Sequence, residues 1–327
     1  MNDQYGRNID YMRISITDRC NLRCCFCMPD DSLSFQKEEE LLGFEEFLKV
    51  VKAAVPLGIK NFRITGGEPL VRSGVVEFIQ KLKQQDGVEK VYLTTNGVLL
   101  EENLDGLMYA GIDGINVSLC STDAKEYEKI TGKNKMETVL SAIRKSAEAG
   151  IHTKVNCVPL PGMNETHLAE LSLLAKEFSV AVRFIEMMPI GQGAKYEMIT
   201  GEQVLTRLEQ VFGKSKRSFR VNGHGPAVYV RFPDFKEDVG FISARTCRFC
   251  SQCNRVRLTA NGWLKLCLNY EEGMDLKADL RNGCPTEELT QKMKTMIYQK
   301  PCSHNFNQTA GTSSYMVNTK YMAQIGG

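Results

Sequence analysis

The chain has 327 residues, of which 43% are hydrophobic and 24% charged, the ordinary composition of a soluble globular protein. Its formal net charge of +2 argues against bulk nucleic-acid binding, so any anion must be bound by locally placed Arg and Lys. The polar start has no apolar signal-peptide region and no apolar run reaches the roughly 18 residues of a membrane span, so we expect a cytoplasmic protein.

Short β-like runs alternate with amphipathic helical stretches from Tyr11 to about Met188. Several helical stretches end at a glycine suited to a C-cap, namely Gly58, Gly111 and Gly150. Strands are predicted at Met12–Ile16, Asn61–Thr65, Lys90–Thr95, Gly114–Leu119, Thr153–Val158 and Ala181–Glu186, and helices at Phe44–Val55, Val75–Gln84 and Glu165–Phe178.

Strands that alternate with helices predict a parallel sheet with right-handed crossovers. Six strand–helix units fall short of the eight of a complete TIM barrel. The predicted fold class is therefore α/β, an incomplete (β/α)6 barrel of TIM type. Ligands are expected at the C-terminal ends of its strands.

The pattern changes near residue 200. We predict a helix at Glu202–Phe212, short antiparallel strands, and a hairpin whose Asn261-Gly262 pair is the preferred type I′ turn. The two domains would be residues 1–200 and 201–327, the second an α+β extension that closes the barrel mouth. The predicted elements after residue 212 are the strands Phe219–Val221, Ala227–Phe232, Gly240–Ser243, Arg255–Thr259 and Trp263–Leu268, and the helix Thr286–Tyr298.

The chain has twelve cysteines, an unusually high number for a protein expected in a reducing compartment. Cysteines there more often bind metal than form disulfides. Cys20, Cys24 and Cys27 form a C-x3-C-x2-C pattern directly after the first strand. Three thiolates can bind three irons of a 4Fe–4S cubane and leave the fourth iron open to a small molecule. A zinc knuckle and a set of unrelated thiols are the alternatives.

This pattern resembles the radical S-adenosylmethionine (SAM) superfamily, which implies that SAM chelates the open iron. The motif Thr65-Gly66-Gly67-Glu68-Pro69 ends the next predicted strand and supports the resemblance. Each residue that matches a SAM contact would, taken alone, be assigned to the core or a turn. The resemblance assigns SAM binding to Phe26, Gly67, Ser118 and Met188.

A second cysteine group, Cys250, Cys253 and Cys267, has the spacing C-x2-C-x13-C. The predicted hairpin brings Cys267 back beside the first pair, and three ligands again indicate a cluster with an open iron. The alternative is a structural zinc site that uses Cys247 as a fourth ligand.

The segment C-N-R-x-R-L-T, which begins at Cys253, and the final Gly-Gly resemble the GTP 3′,8-cyclase family, also called molybdenum cofactor biosynthesis protein A. Other matching segments are D-R-C-N-L-R-C, R-I-T-G-G-E-P-L, L-T-T-N-G, N-V-S-L and R-F-I-E-M-M. The resemblance implies two 4Fe–4S clusters and conversion of GTP to 3′,8-cyclo-7,8-dihydro-GTP through a 5′-deoxyadenosyl radical. This lyase reaction is the first step of molybdenum cofactor biosynthesis.

The implied partners are GTP, an external electron donor and a downstream cyclic pyranopterin monophosphate synthase, with no nucleic acid or membrane, in a monomer or homodimer. A charge inside a barrel is costly unless paired, and a triphosphate pairs with several. For each of the Arg and Lys residues assigned to GTP below, the alternative is a structural role in a salt bridge. The resemblance assigns GTP binding to Arg13, Arg63, Thr94, Lys154, Arg255, Val256 and Arg257, and places the tail Gly326-Gly327 toward the active site.

Two positions depart from the family pattern. Cys120 replaces the usual Asp after Val-Ser-Leu, and Lys320-Tyr321-Met322 replaces the more usual Arg-Pro-Met. Two rival functions stay open: a radical SAM peptide-modifying maturase with an auxiliary cluster, and a zinc-stabilised binding protein without catalysis.

Overall fold

One continuous sheet organises the computed structural model, which describes residues 1–28, 35–220, 223, 225–306 and 316–326. Within these residues the sheet has twelve strands in the order β12-β11-β10-β1-β2-β3-β4-β5-β6-β9-β8-β7. The strands β1 to β12 span Tyr11–Ser15, Asn61–Thr65, Lys90–Thr95, Gly114–Ser118, Thr153–Cys157, Ala181–Ile185, Lys216–Ser218, Val228–Arg231, Val239–Ile242, Arg255–Leu258, Trp263–Lys265 and Gly273–Asp275.

The six strands β1 to β6 are parallel and neighbour one another in chain order. Their bounds lie within one residue of the predicted ones. The sheet does not close, because β1 pairs next with β10 and β6 with β9. The predicted incomplete barrel is therefore confirmed.

Helices cover the outer face of this sheet with their apolar sides; in α1, for example, Phe47, Val50 and Val51 are buried in the core. Gly58, Gly111 and Gly150 all have positive φ, as expected for helix C-caps. The helices α1 to α10 span Phe44–Ala54, Val75–Lys83, Leu100–Tyr109, Ala124–Thr131, Met136–Glu148, Leu168–Glu177, Gly201–Phe212, Lys277–Arg281, Thr286–Tyr298 and Met322–Ile325. None of the helices in these described residues is long and apolar enough to cross a membrane.

The C-terminal strands extend both edges of the barrel sheet. β10 pairs parallel with β1, and β9 pairs parallel with β6 but antiparallel with β8. The antiparallel pairing predicted for Gly240–Ser243 is confirmed with β8, whereas its parallel pairing with the open edge of β6 was not predicted. Since the strands of residues 201–327 share this sheet, the division at residue 200 stays a prediction.

Two local predictions fail in this part of the chain. The strand expected at Phe219–Val221 lies instead at Lys216–Ser218, where it pairs with β8; Val221 itself lies outside the described residues. The β10–β11 turn is not type I′, since that turn needs positive φ at both central residues. Among described non-glycine residues only Asp234 has positive φ, so Asn261 does not. The N–H of Gly262 (φ +87°) donates to the Thr259 carbonyl at 3.0 Å and closes a four-residue β-turn. The Thr259 N–H donates to the Trp263 carbonyl at 3.0 Å, so the hairpin loop between them has three residues.

Candidate active site

A cavity of about 390 Å³ lies at the C-terminal ends of the barrel strands. Its lining comes from both halves of the chain, and it includes both cysteine groups. Most of the residues predicted to bind SAM, GTP or iron border it. They are Arg13, Cys20, Cys24, Phe26, Cys27, Arg63, Gly67, Thr94, Ser118, Lys154, Met188, Cys250, Cys253, Arg255, Arg257 and Cys267.

The first cysteine loop is packed tightly after β1. The Cys27 N–H donates to the Cys24 carbonyl at 2.9 Å, and the Cys25 N–H donates to the Ile130 carbonyl at 2.9 Å. Burial and neighbouring thiols raise the pKa of Cys24, and burial, with Cys20 nearby, raises the pKa of Cys27 to about 12. Such thiols ionise only when a cation compensates the charge, so their grouping fits an iron–sulfur cluster.

The Gly66-Gly67-Glu68 turn fits directly against the chain that leads into this loop. A Cβ on Gly67 would lie 2.4 Å from the Arg19 carbonyl oxygen, so only glycine fits there. The carboxylate of Glu68 is fully buried and accepts hydrogen bonds from the Thr95 hydroxyl at 2.8 Å and the Asn96 N–H at 2.6 Å. The turn therefore fixes the cysteine loop to the ends of β2 and β3.

The second cysteine group brings together a short turn and a hairpin. Burial alone would raise the pKa of Cys253, but the positive charges of Lys300 and Arg255 lower it to about 7. Burial raises the pKa of Cys250, and the nearby thiols of Cys267 and Cys253 add to the rise. All three thiols border the same cavity. Cys247 is exposed and does not border the cavity.

In the described ranges, no three Cys, His, Asp or Glu side chains are grouped closely enough to hold one metal ion. The ligands of a cubane bind different irons and therefore stand farther apart than the ligands of a single ion. The two three-cysteine groups are thus suited to clusters by their donor atoms and their common cavity.

Buried basic residues surround the space between the two cysteine groups. Burial lowers the pKa of Arg13, with Arg257 and Arg63 adding to the effect, and it lowers the pKa of Lys154 to about 7, with Arg183 and Arg63 adding to it. Because guanidinium groups stay protonated in proteins, their mutual repulsion persists until an anion binds. This concentration of positive charge fits a polyphosphate.

Arg63 shows how firmly one of these groups is held. Its Nε donates to the Tyr11 hydroxyl at 2.5 Å and its Nη1 donates to the Leu93 carbonyl at 3.1 Å and the Thr94 hydroxyl at 3.3 Å. The guanidinium also lies 4.9 Å from the centre of the Tyr92 ring. Within the described residues it forms no ion pair with a carboxylate, so its charge is positioned but not neutralised.

Comparison with known proteins agrees with this arrangement. A family model described as Radical SAM superfamily matches residues 14–175, and one described as Molybdenum Cofactor Synthesis C matches residues 180–306. The GTP 3′,8-cyclase of Clostridium perfringens (strain 13 / Type A) is 39% identical over 329 residues, and that of Desulforamulus reducens is 41% identical over 331 residues. Both alignments cover 100% of this chain and 100% of the relative.

The chain belongs to the GTP 3′,8-cyclase family. The resemblance stated from the motifs is thereby confirmed, and with it membership of the radical SAM superfamily, which implies a 4Fe–4S cluster and SAM. Similar solved structures include Streptococcus suis SuiB bound to S-adenosylmethionine, with a TM-score of 0.61 at 14% identity, covering 88% of this chain and 68% of that one. At that identity the similarity shows the fold alone.

Among the described residues that the family resemblance assigned to the site, Val256 and Gly326 are not part of the cavity lining. Val256 is fully buried in the hydrophobic core, because side chains alternate along β10 and its neighbours Arg255 and Arg257 take the cavity side. The side chain of Val256 is therefore not available to a ligand in the cavity. Gly326 lies beside the cavity lining, and Gly327 lies outside the described residues.

The C-terminal tail reaches the ends of β1 and β2. The carbonyl of Gly326 accepts a hydrogen bond from Arg257 Nη1 at 2.6 Å. A Cβ on Gly326 would lie 2.9 Å from both Ser15 Cβ and Thr65 Cγ2, and its φ is +75°. Both observations explain why a glycine is needed at this position.

Several cavity residues were not predicted from the sequence, and Arg183 is the most informative of them. Arg183 lies on β6, is 5% exposed, and donates from Nε to the Asn156 amide oxygen at 2.9 Å. A usable signal was present, because strands of a parallel sheet are normally apolar on both faces. Polar residues at alternate positions, such as Asn116 with Ser118 and Lys154 with Asn156, indicate the face that lines a ligand cavity.

Proposed function

We propose that this protein is a GTP 3′,8-cyclase, a lyase that converts GTP to 3′,8-cyclo-7,8-dihydro-GTP in molybdenum cofactor biosynthesis. The observation that carries the proposal is a single cavity bordered by two three-cysteine groups, with buried Arg and Lys side chains between them. The full-length relatives that bear this name support it.

Cys20, Cys24 and Cys27 would hold the radical SAM cluster, and Phe26, Gly67, Ser118 and Met188 would contact SAM. When bound, the cluster and SAM together supply a 5′-deoxyadenosyl radical that takes hydrogen from the ribose of GTP. The cavity's role is to shield that chemistry from water and to place the ribose close to it.

Cys250, Cys253 and Cys267 would hold a second 4Fe–4S cluster whose open iron binds the guanine base. A fourth thiolate would close that position, and three ligands are favoured because Cys247 is exposed and does not border the cavity. Arg255 fits the guanine side: its Nε is buried without a hydrogen-bond partner among the described residues. Such a buried donor favours a bound ligand.

The triphosphate would lie on Arg13, Arg63 and Lys154, with Thr94 as a hydroxyl contact, and we add Arg183 to this set. Guanidinium groups bind phosphate oxygens through two parallel N–H donors, which fixes orientation as well as charge. Further partners belong to the proposal as well: an external electron donor and a downstream cyclic pyranopterin monophosphate synthase, acting on a monomer or homodimer.

The test is anaerobic incubation of reconstituted protein with GTP, SAM and a reductant. Mass spectrometry should find 5′-deoxyadenosine and a cyclised nucleotide, and the protein should contain about eight irons. A peptide-modifying maturase would leave GTP unchanged. Zinc with little iron would support the non-catalytic binding protein and would contradict the proposal.

GTP affinity should depend on the protonation of Lys154. With a pKa of about 7 in the free protein, Lys154 is largely neutral at pH 8, and the bound triphosphate favours its charged form. Binding at pH 8 should therefore take up close to one proton, and affinity should fall as pH rises above 7, by up to about tenfold per unit. Calorimetry in two buffers of different ionisation enthalpy measures this uptake.

Lys154→Arg is the matched variant, because it keeps the positive charge and does not titrate in this range. Its GTP affinity should vary much less between pH 7 and pH 9, and the phosphate's own ionisation is common to both proteins. Equal proton uptake by the variant and the unmodified chain would show that Lys154 is not the titrating group.

A further inference from the structure

Residues Asp3–Arg7, here called the N-terminal clamp, form a closed loop outside the cavity. The Asp3 N–H donates to the Arg7 carbonyl at 3.1 Å, and the Gly6 N–H donates to the Asp3 carbonyl at 3.0 Å. Asp3 Oδ1 accepts from the N–H groups of Tyr5 and Arg7, both at 3.0 Å. Gly6 has a φ of +77°, which favours glycine there.

The Arg7 guanidinium uses every nitrogen to hold other groups in place. Nε donates to Asp3 Oδ2 at 2.6 Å, and the two side chains are 4% and 0% exposed. Nη1 donates to the carbonyls of Cys250 and Cys302 at 3.0 and 2.9 Å, and Nη2 to those of Pro301 and Lys300 at 2.7 and 3.2 Å. One side chain therefore joins two segments that are about fifty residues apart in sequence.

Both segments contain or contact residues of the second cysteine group. Cys250 is one of its three thiols. Lys300 borders the cavity, and its Nζ donates to the carbonyl of Leu266, the residue before Cys267. Arg7 thus connects the turn that carries Cys250 to the residue that supports the Cys267 end of the hairpin.

A second set of hydrogen bonds joins the N-terminal residues to the residue after Cys253. The side-chain amide of Asn254 donates to Asp10 Oδ1 at 2.6 Å, and the N–H groups of Asp10 and Tyr11 each lie 3.3 Å from the Asn254 carbonyl. The chain just after the clamp therefore fixes the position next to the second thiol, so all three thiols are braced from the N-terminal residues.

We infer that Arg7 is a positioning residue for the second cysteine site, which sets the spacing of its three thiols for the cluster. The inference rests on the proposed second cluster. A guanidinium suits this task because its planar fork fixes several acceptors at once, whereas a lysine ammonium does not. Outer contacts of this kind commonly change the metal affinity of a site by about 10- to 100-fold.

The test uses full-length protein in which Cys20, Cys24 and Cys27 are all alanine, so that only the second site can bind iron. Arg7→Lys and Asp3→Asn are then compared in that background by iron content, EPR spectrum of the reduced cluster and resistance to a chelator. We expect Arg7→Lys to lose iron at a chelator concentration about 10- to 100-fold lower, with an altered EPR spectrum. Asp3→Asn should shift both readouts in the same direction.

Arg231→Lys is the matched control for loss of an arginine paired with a buried aspartate, although Arg231 itself is 35% exposed and Arg7 is 4% exposed. Arg231 Nε lies 2.5 Å from Asp238 Oδ1 and its Nη1 donates to backbone carbonyls, including that of Lys236 at 3.1 Å. It should lower thermal stability and leave the iron and its spectrum unchanged. If Arg7→Lys and Asp3→Asn likewise keep the same spectrum and chelator resistance, the inference is wrong. A parent protein that binds no iron would instead refute the second cluster itself.

Discussion

Cys24→Ala should reduce the reductive cleavage of SAM to the level seen without protein. Cys24 is the central thiol of the first group, and its raised pKa reflects burial among neighbouring thiols. Removing it leaves two thiols where a cubane with one open iron needs three. The measurement is 5′-deoxyadenosine formed from SAM and dithionite under anaerobic conditions, alongside the iron bound per chain.

Cys25→Ala is the matched control, since this residue lies in the same loop. Its contact with Ile130 is made by the backbone N–H, which alanine keeps, and its side chain packs against the hydrophobic core. The variant should therefore retain cleavage. Retained cleavage in Cys24→Ala, or its loss in Cys25→Ala with Cys24 intact, would contradict the assignment of ligands in the first group.

The barrel strands could be predicted from sequence because each is a short run with a clear start and end. Asn61–Thr65 and Lys90–Thr95 match the structure at both ends. Their alternation with helices fixes the parallel order by a general rule of connection. The cysteine loop could be placed for the same reason, since Cys20 lies only five residues after Ser15, the last residue of β1.

The C-terminal half was harder because its partners are distant in sequence. β10 pairs with β1 in the register Tyr11↔Arg255, and nothing local to either strand indicates this. The Asn261-Gly262 pair was assigned to the wrong turn because the sequence allows more than one loop length around the same left-handed glycine. Local signals predict an element here but leave its partner or exact loop undetermined.

Site residues, like the strands, could be predicted where a local motif marks them and not where their contacts are distant in sequence. Arg13, Arg63 and Lys154 border the cavity and were named from the family resemblance, whereas Arg183, which also borders it, was not predicted. The clamp residue Arg7 was not predicted either. Arg7 contacts Cys250 across 243 positions of sequence, so its role follows only from the folded chain. Its sequence signal is limited to Asp3 and Gly6, which form a local turn and give no indication of the second cysteine group.

Cys267→Ala should remove GTP cyclisation while sparing some SAM cleavage. Cys267 borders the cavity on the hairpin that also carries Arg257, whereas the thiols proposed to hold the SAM cluster all lie in the loop after β1. The loss of the third thiol would remove or distort the second cluster, and GTP would lose the iron that positions its base. The two products, 5′-deoxyadenosine and the cyclised nucleotide, should be measured in the same reaction.

Cys247→Ala distinguishes a three-thiolate cluster with an open iron from a four-thiolate zinc site in this cysteine group. Cys247 is exposed and lies outside the cavity lining, so its removal should leave both products nearly unchanged. If Cys247→Ala abolished cyclisation as fully as Cys267→Ala, four thiolates would close the site, as in a structural zinc centre. No open iron would then be available to hold guanine, and the buried Arg and Lys side chains would have to position GTP without it.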